Sequence, residues 1–198
     1  MIAQLDYKRA PQEYLQWEAT QPLRYGYIDG DVYAMTGRTI PHNQIAVNLI
    51  ALFKPHLRGK QCKVLGSDAK VGISDRGPFH YPDLSVTCDP RDRFARYYIR
   101  YPCLIVEVLS DSTEGFDRGD KFRHYRQIET LQEYVLISPS RQSVECYRLN
   151  SHGRWELFSY TSDGEDARST RIEWTSIGIT CTFDDIYEDV EFIDRPPH

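Results

Sequence analysis

One stretch, residues 102–125, constrains the fold of this chain more than any other. It reads PCLIVEVLSDSTEGFDRGDKFRHY, and residues 103–109 form an apolar run, rich in β-branched side chains, that contains a single carboxylate. Such a run predicts a strand that is buried on both faces. A polar loop follows, a helical pattern starts at about Asp117, and a second apolar run covers residues 133–137. Strand, helix and strand at this spacing predict a βαβ unit with parallel strands and a right-handed crossover.

The carboxylate inside the first predicted strand is Glu107. A buried ionised carboxylate requires a partner, a metal ion or a shifted pKa. Asp83 lies 24 residues earlier, within a predicted strand over residues 79–88. If the two strands are neighbours, both carboxylates can face one pocket. Two hard oxygen ligands, with water in the remaining positions, are typical of a Mg²⁺ site.

Lys121 is the third candidate for this pocket. With Asp117 as the N-cap, Lys121 lies in the first helical turn, where the helix dipole disfavours a cation. Its side chain leans toward the end of the helix that adjoins the Glu107 strand. A lysine so placed beside two carboxylates is a candidate functional residue. The alternative is an i,i+4 pair between Asp117 and Lys121 on a solvated surface.

The remaining pattern predicts an α/β or α+β fold, in which a central mixed sheet is flanked by helices. Asp29-Gly30 lies between two β-rich runs and predicts a hairpin turn. Pro41 opens a helix with an apolar stripe, and Pro82 marks an edge, a bulge or a strand beginning. Further segments are predicted as a helix over residues 11–19, strands over 62–65, 70–73, 143–149, 154–160 and 177–183, and an exposed loop over 161–170.

Length and composition limit the possible classes of protein. A chain of 198 residues with 40% hydrophobic side chains is most simply one domain over residues 1–198. The net charge of −5 argues against a generic polyanion binder but leaves room for a local basic patch. The sequence shows neither an apolar run of membrane-spanning length nor a signal-peptide pattern, so we expect a cytoplasmic protein without a membrane partner. The five cysteines form no CxxC pair, which argues against structural zinc and a disulfide framework and favours small buried hydrophobic residues.

Residues 91–101 have a different composition, because RDRFARYYIRY contains four arginines and three tyrosines. Basic side chains interleaved with aromatic rings are typical of surfaces that bind a phosphate backbone. We therefore predict nucleic-acid contacts at Arg91, Arg93, Arg96 and, on the following helix, Arg118. The alternative is a solvated loop whose arginines pair with nearby acids.

Taken together, these motifs resemble the Uma2 family of restriction-type endonucleases, which is abundant in cyanobacteria and lies within the PD-(D/E)XK nuclease superfamily. The resemblance covers most of the chain. It rests on YIDGDVYAMTG followed by His42, on GSD ending at Asp68, on YPD ending at Asp83, on IVEVLS around Glu107, on STE with Asp117 and Lys121, and on LQEYV.

The resemblance implies a restriction-endonuclease-like mixed sheet with additional hairpins. It also implies Mg²⁺-dependent hydrolysis of phosphodiester bonds in DNA, with Mn²⁺ as a substitute ion. Asp83 and Glu107 take the acidic positions of the motif. The motif lysine is expected two residues after Glu107, where this chain has Leu109, so the resemblance assigns its role to Lys121 on the next helix.

Two further residues and several functions stay open at this stage. His42, at a helix start, is either catalytic or a capping residue, and Asp68 is either a metal ligand or a turn residue. Nucleotide-binding and hydrolase-elbow motifs are absent. A metal-dependent nuclease is expected, with a homodimer as a possible assembly. A non-catalytic binding module on the same fold, or hydrolysis of another phosphate ester, is the alternative.

Overall fold

The computed structural model describes residues 8–35, 39–162 and 169–192, which contain twelve strands and five α-helical segments. The strands are β1 Tyr25–Ile28, β2 Asp31–Ala34, β3 Lys63–Gly66, β4 Val71–Gly72, β5 Phe79–His80, β6 Leu84–Thr87, β7 Leu104–Val108, β8 Glu133–Ile137, β9 Ser143–Leu149, β10 Trp155–Thr161, β11 Ile172–Trp174 and β12 Ile179–Cys181. The helices are α1 Pro11–Glu18, α2 Ile40–His56, α3 Glu114–Phe116, α4 Phe122–Tyr125 and α5 Phe183–Tyr187, and a π-helical turn, Asp117–Lys121, joins α3 to α4. This mixed α+β architecture confirms the predicted fold class.

A six-stranded sheet in the order β10-β9-β8-β7-β6-β3 forms the centre of the fold. Strands β7 and β8 pair in parallel, and the helical segment between them completes the predicted βαβ unit. The other pairs in this sheet are antiparallel. Every residue of β7 and β8 is buried, as an unbroken apolar run requires when both faces of a sheet are covered.

Helix α2 covers one face of this sheet. Its apolar stripe, Ile45, Leu49 and Phe53, is fully buried, and Phe53 packs edge-on against Trp174. The side chain of Thr39 caps the helix by accepting the backbone N–H of His42. The cap fixes the first turn of α2, and with it His42, close to the carboxyl end of β7.

A second sheet of four strands, in the order β2-β1-β5-β4, stands beside the first. The predicted strand over residues 79–88 is in fact two strands, because β5 pairs with β1 and β4, whereas β6 pairs with β3 and β7. Pro82 lies between them and has no N–H to donate to a ladder. The chain therefore passes from one sheet to the other at residues 81–83, and Asp83 lies at that crossing.

The crossover helix begins earlier than the sequence pattern indicates. Helix α3 starts at Glu114, and the N–H of Asp117 bonds to the carbonyl of Thr113 at 2.9 Å. The prediction of Asp117 as the N-cap is therefore wrong. Asp117 and Lys121 instead lie at the two ends of the π-helical turn, inside one continuous helical segment.

The prediction about cysteines is wrong for one pair. Antiparallel pairing places Lys63 opposite Thr87, so Cys62 and Cys88 meet just beyond that pair and form a disulfide. Cys146 and Cys181 are buried as predicted, and Cys103 is half-buried. Of the predicted loop over 161–170, residues 163–168 lie outside the described part. In the described ranges, no helix has both the length and the apolar character to cross a membrane.

Candidate active site

A cleft of about 1160 Å³ opens between the two sheets. One wall is the β1–β2 hairpin with the first turn of α2. The other wall consists of the helical segment 113–124 and residues near the ends of β7, β8 and β9. Asp83 and Glu107 both lie on its lining, where the chain crosses between the sheets.

The register of β6 and β7 brings Asp83 and Glu107 together. Leu84 pairs with Val106, so the residue before Leu84 faces the residue after Val106. Asp83 Oδ2 accepts the backbone N–H of Val108 at 2.7 Å, which fixes that carboxylate against β7. Both side chains are about 2% exposed. The two predicted carboxylates therefore meet in one buried place.

Lys121 reaches this place from the π-helical turn. Its Nζ lies 3.0 Å from Glu107 Oε2 and 2.8 Å from Asp117 Oδ1. Burial lowers the pKa of Lys121, but the charges of Glu107 and Asp117 outweigh burial, so the pKa lies above its ordinary value. The i,i+4 pair with Asp117 exists, but it is buried and shared with Glu107. Lys121 is therefore a fixed cation rather than a proton acceptor.

Hydroxyl groups hold the carboxylates beside Lys121. Tyr125 donates to Glu107 Oε1 at 3.2 Å, and Thr113 donates to Asp117 Oδ2 at 2.7 Å. Burial, followed by the charge of Glu107, raises the pKa of Tyr125 well above its ordinary value, so its hydroxyl stays a donor. Sequence reasoning missed this role of Tyr125. The signal was its spacing, because it follows Lys121 by four residues on one helix.

His42, which the sequence leaves as either a catalytic or a capping residue, also lies at the site. Its Nε2 is 3.3 Å from Asp83 Oδ2, and its side chain is 5% exposed. The capped first turn of α2 places the ring there. His42 therefore contacts one of the two central carboxylates.

Two histidines that sequence reasoning did not single out line the same cleft. His80 on β5 and His124 on α4 stack, with Nε2 of His80 3.0 Å from Nδ1 of His124. Burial, then the charge of Lys121 and then His124, lowers the pKa of His80 well below its ordinary value. They are 44 residues apart, one on a strand and the other on a helix, so no spacing rule connects them.

Asp68 is not brought to the cleft. Its carboxylate lies in the turn after β3, is 81% exposed and pairs with Arg24 at 2.7 Å. Within the described ranges, no group of three or more His, Cys, Asp or Glu side chains is arranged to hold a metal ion. Any ion in this cleft would therefore take two carboxylates from the chain, and Asp68 would not be the third.

The four predicted arginines divide between two places. Arg118 lines the cleft, where it pairs with Glu145 at 2.5 and 3.0 Å and with Glu114 at 2.8 Å. The other three, Arg91, Arg93 and Arg96, belong to the loop from β6 to β7 and do not line the cleft. Because β6 and β7 are antiparallel, that loop lies at the opposite end of the two strands from Asp83 and Glu107. Of the four arginines predicted to contact nucleic acid, only Arg118 is therefore on the lining of the cleft.

The lining of the cleft is acidic. Among the described residues it contains eight Asp and Glu side chains and four Lys and Arg side chains. A phosphate group would be repelled by such a lining unless cations neutralise part of it. The chemistry of the donor set fits Mg²⁺, which is held by one or two carboxylates and completes its shell with water and phosphate oxygens.

A family model described as "Uma2: Putative restriction endonuclease" matches residues 11–178. The chain belongs to the Uma2 family. Two uncharacterized Synechocystis sp. proteins are similar over most of the chain. The protein slr1290 is 44% identical over 93% of this chain and 94% of its own length, and sll1609 is 33% identical over 73% and 83%. The resemblance inferred from the motifs is confirmed.

The Uma2 fold also matches a solved structure. A crystal structure from Anabaena variabilis, described as "a putative nuclease belonging to DUF820", superimposes with a TM-score of 0.71. It is 16% identical in sequence, and the match covers 91% of this chain and 98% of that chain. At 16% identity the structural similarity is evidence for the fold alone, and it shows that this chain has a nuclease-like fold.

Proposed function

We propose that this Uma2 protein is a metal-dependent endonuclease that hydrolyses phosphodiester bonds in DNA. The proposal depends on one observation: the side chains of Asp83, Glu107 and Lys121 are buried close together on the lining of an open cleft. Burying such charges costs several kcal/mol per ion, and apolar side chains would serve stability as well or better. Charges that are buried together beside a substrate-sized cleft indicate chemistry rather than packing.

Asp83 and Glu107 are the residues that would hold Mg²⁺, or Mn²⁺ in its place. The bound ion would supply Lewis acidity and lower the pKa of a water ligand. The backbone N–H of Val108, the ring of His42 and the hydroxyl of Tyr125 fix the orientation of these carboxylates before any ion arrives. Such preorganisation limits the reorganisation that binding requires.

Lys121 supplies the fixed positive charge of the site. Glu107 and Asp117 hold its ammonium group in place and keep it protonated. Such a cation orients the attacking water or stabilises the negative charge that develops on the phosphate. The chain then hydrolyses the bond directly, without a covalent intermediate.

The test is cleavage of plasmid DNA, single-stranded DNA and RNA, with Mn²⁺, with Mg²⁺ and with a chelator. We expect DNA cleavage that requires metal and falls by about a thousandfold or more in the Glu107→Gln protein. Asp68→Asn is the matched control, because it neutralises an exposed carboxylate outside the cleft and should cleave like the wild type.

Absence of cleavage of every substrate, with the wild-type protein folded and loaded with metal, would contradict the proposal. That result would favour the non-catalytic binding module. The acidic lining and the pairing of Arg118 with two carboxylates are the features that fit such a module. Cleavage of RNA but not of DNA would support phosphodiester hydrolysis at this site and would change the proposed substrate from DNA to RNA.

A further inference from the structure

The loop between β6 and β7 is built around a buried carboxylate. Asp92 is 3% exposed, and its oxygens accept the hydroxyl of Thr87 at 2.8 Å and the backbone N–H groups of Arg100 and Tyr101, both at 2.9 Å. Three hydrogen bonds to one charged group hold both arms of the loop together. The loop is therefore ordered from within.

A lysine from the neighbouring strand fixes the tip of the same loop. Lys63 on β3 donates from Nζ to the carbonyl oxygens of Asp92 at 2.8 Å and Arg93 at 2.9 Å. The disulfide between Cys62 and Cys88 joins the chain just before β3 to the start of the loop. The outer side chains are thus presented from a backbone whose position is set by the sheet.

Two aromatic rings stand out from this ordered backbone. Phe94 is 83% exposed and Tyr97 is 69% exposed, the largest values for aromatic side chains in the described part of the chain. An exposed ring on an ordered loop gains nothing for the core, since it buries little surface. It does offer a flat apolar face to a partner.

Two arginines without an acidic partner accompany these rings. Arg93 and Arg96 are exposed, and no carboxylate of the described residues forms an ion pair with either. Arg91 and Arg100, in contrast, are paired with Asp89, Glu129 and Asp75. The accessible positive charge of the loop therefore lies beside its exposed rings.

We propose that Arg93, Phe94, Arg96 and Tyr97 form an anchoring surface for a single-stranded stretch of nucleic acid. Bases would stack on the two rings, and the two guanidinium groups would contact the phosphates between them. An open strand is favoured over a duplex because only unstacked bases present a face to a protruding ring. A groove of about 240 Å³, lined in part by Arg96, Tyr97 and Tyr101, adjoins the surface.

The inference rests on the proposed function for its nucleic-acid substrate, but it places binding and chemistry apart. The surface lies at the far end of β6 and β7 from Asp83 and Glu107. With a rise of about 3.3 Å per residue, that separation is on the order of 15 Å, a few nucleotides of extended strand. The surface would therefore hold a substrate outside the cleft and need no metal ion.

The test is fluorescence anisotropy of a dye-labelled single strand of about 20 nucleotides, titrated with the full chain in a chelator so that no cleavage occurs. Phe94→Ala/Tyr97→Ala should weaken binding by about tenfold or more, as expected for the loss of stacked bases. Arg93→Ala/Arg96→Ala should weaken it and flatten the slope of log affinity against log salt by about one unit. Arg58→Ala/Arg154→Ala, which removes two other exposed arginines, is the matched control and should bind like the wild type.

Unchanged binding by both loop variants, with wild-type melting curves, would overturn the inference. A duplex bound as tightly as the single strand, with no effect of the ring substitutions, would overturn it as well, as would absence of binding by the wild type. Each readout is independent of cleavage. Failure of these binding predictions therefore leaves the proposed active site untouched, and absence of cleavage by the wild type leaves the anchoring surface untouched.

Discussion

The charged side chains at one end of the β6–β7 strand pair are buried and paired, whereas two arginines at the other end are exposed and have no acidic partner among the described residues. At the cleft end, Asp83, Glu107 and Lys121 are nearly sealed from solvent, and Lys121 lies between two carboxylates. At the loop end, Arg93 and Arg96 face solvent with no acidic partner among the described residues. Assembling the first end costs desolvation free energy, whereas displaying the second costs little. The comparison distinguishes a buried cluster of charges, where we propose chemistry, from an exposed basic surface, where we propose binding.

The largest effect on this comparison should come from Lys121→Met. The substitution removes the two buried ion pairs that Lys121 forms with Glu107 and Asp117, so the free energy of unfolding should fall by about 3–5 kcal/mol in chelator. Added Mn²⁺ should recover part of the loss, because a divalent ion supplies the missing charge. Thermal melts with and without Mn²⁺ measure both quantities, and cleavage should fall by about 100-fold or more.

The matched control is Glu107→Gln/Lys121→Met, which removes one charge of each sign. It should melt above the Lys121→Met protein in chelator and gain less from Mn²⁺. A Lys121→Met protein as stable as the wild type would contradict the view that the cleft end is held by buried charge.

At the loop end, Asp92→Asn should destabilise the fold by about 2 kcal/mol. The amide loses the charge that strengthens three hydrogen bonds and turns one acceptor into a donor against a backbone N–H. Asp75→Asn, at a carboxylate 72% exposed that pairs with Arg100, should change stability by about 0.5 kcal/mol or less. Chemical denaturation of the two variants checks the difference. Equal effects would show that the loop has no internal anchor.

The smallest effect concerns pH. Burial, then Lys121 and then His124, lowers the pKa of His80, so the unfolded chain binds more protons below the ordinary histidine pKa of about 6.5. Stability contributed by neutral His80 is therefore present above that pH and is lost on acidification, by at most about 1.4 kcal/mol per pH unit. His80→Asn should flatten unfolding free energies measured from about pH 7 to about pH 5.5. The control His152→Asn, in the exposed β9–β10 turn, should leave the pH dependence of the unfolding free energy as in the wild type. A His80→Asn protein with a pH dependence as steep as that of the wild type would contradict the role assigned to His80.

The sequence was most informative where local pattern and tertiary position coincide. The apolar runs at 103–109 and 133–137 predicted β7 and β8 because buried parallel strands need unbroken apolar runs. Glu107 inside such a run pointed to a buried site, and Lys121 could be connected to it because one crossover links strand and helix. The motifs then identified the family correctly.

What the sequence did not predict has one physical cause: the position of these residues depends on contacts between segments that are far apart in the chain. Nothing local distinguishes a turn aspartate that faces solvent, such as Asp68, from one that enters the cleft. The sequence also did not reveal that residues 91–101 lie away from the cleft, because their position follows from the antiparallel pairing of β6 and β7. The disulfide between Cys62 and Cys88 likewise depends on the β3–β6 register. Composition and spacing alone do not contain that information.

The most direct test of the central claim, that Asp83 and Glu107 form a divalent-cation site, is calorimetric titration of Mn²⁺ into the wild type, Asp83→Asn, Glu107→Gln and Asp68→Asn. The account predicts saturable binding by the wild type and by Asp68→Asn. It predicts a loss of about tenfold or more in affinity for each of the other two. Binding that survives Asp83→Asn and Glu107→Gln, or that is lost only in Asp68→Asn, would contradict it.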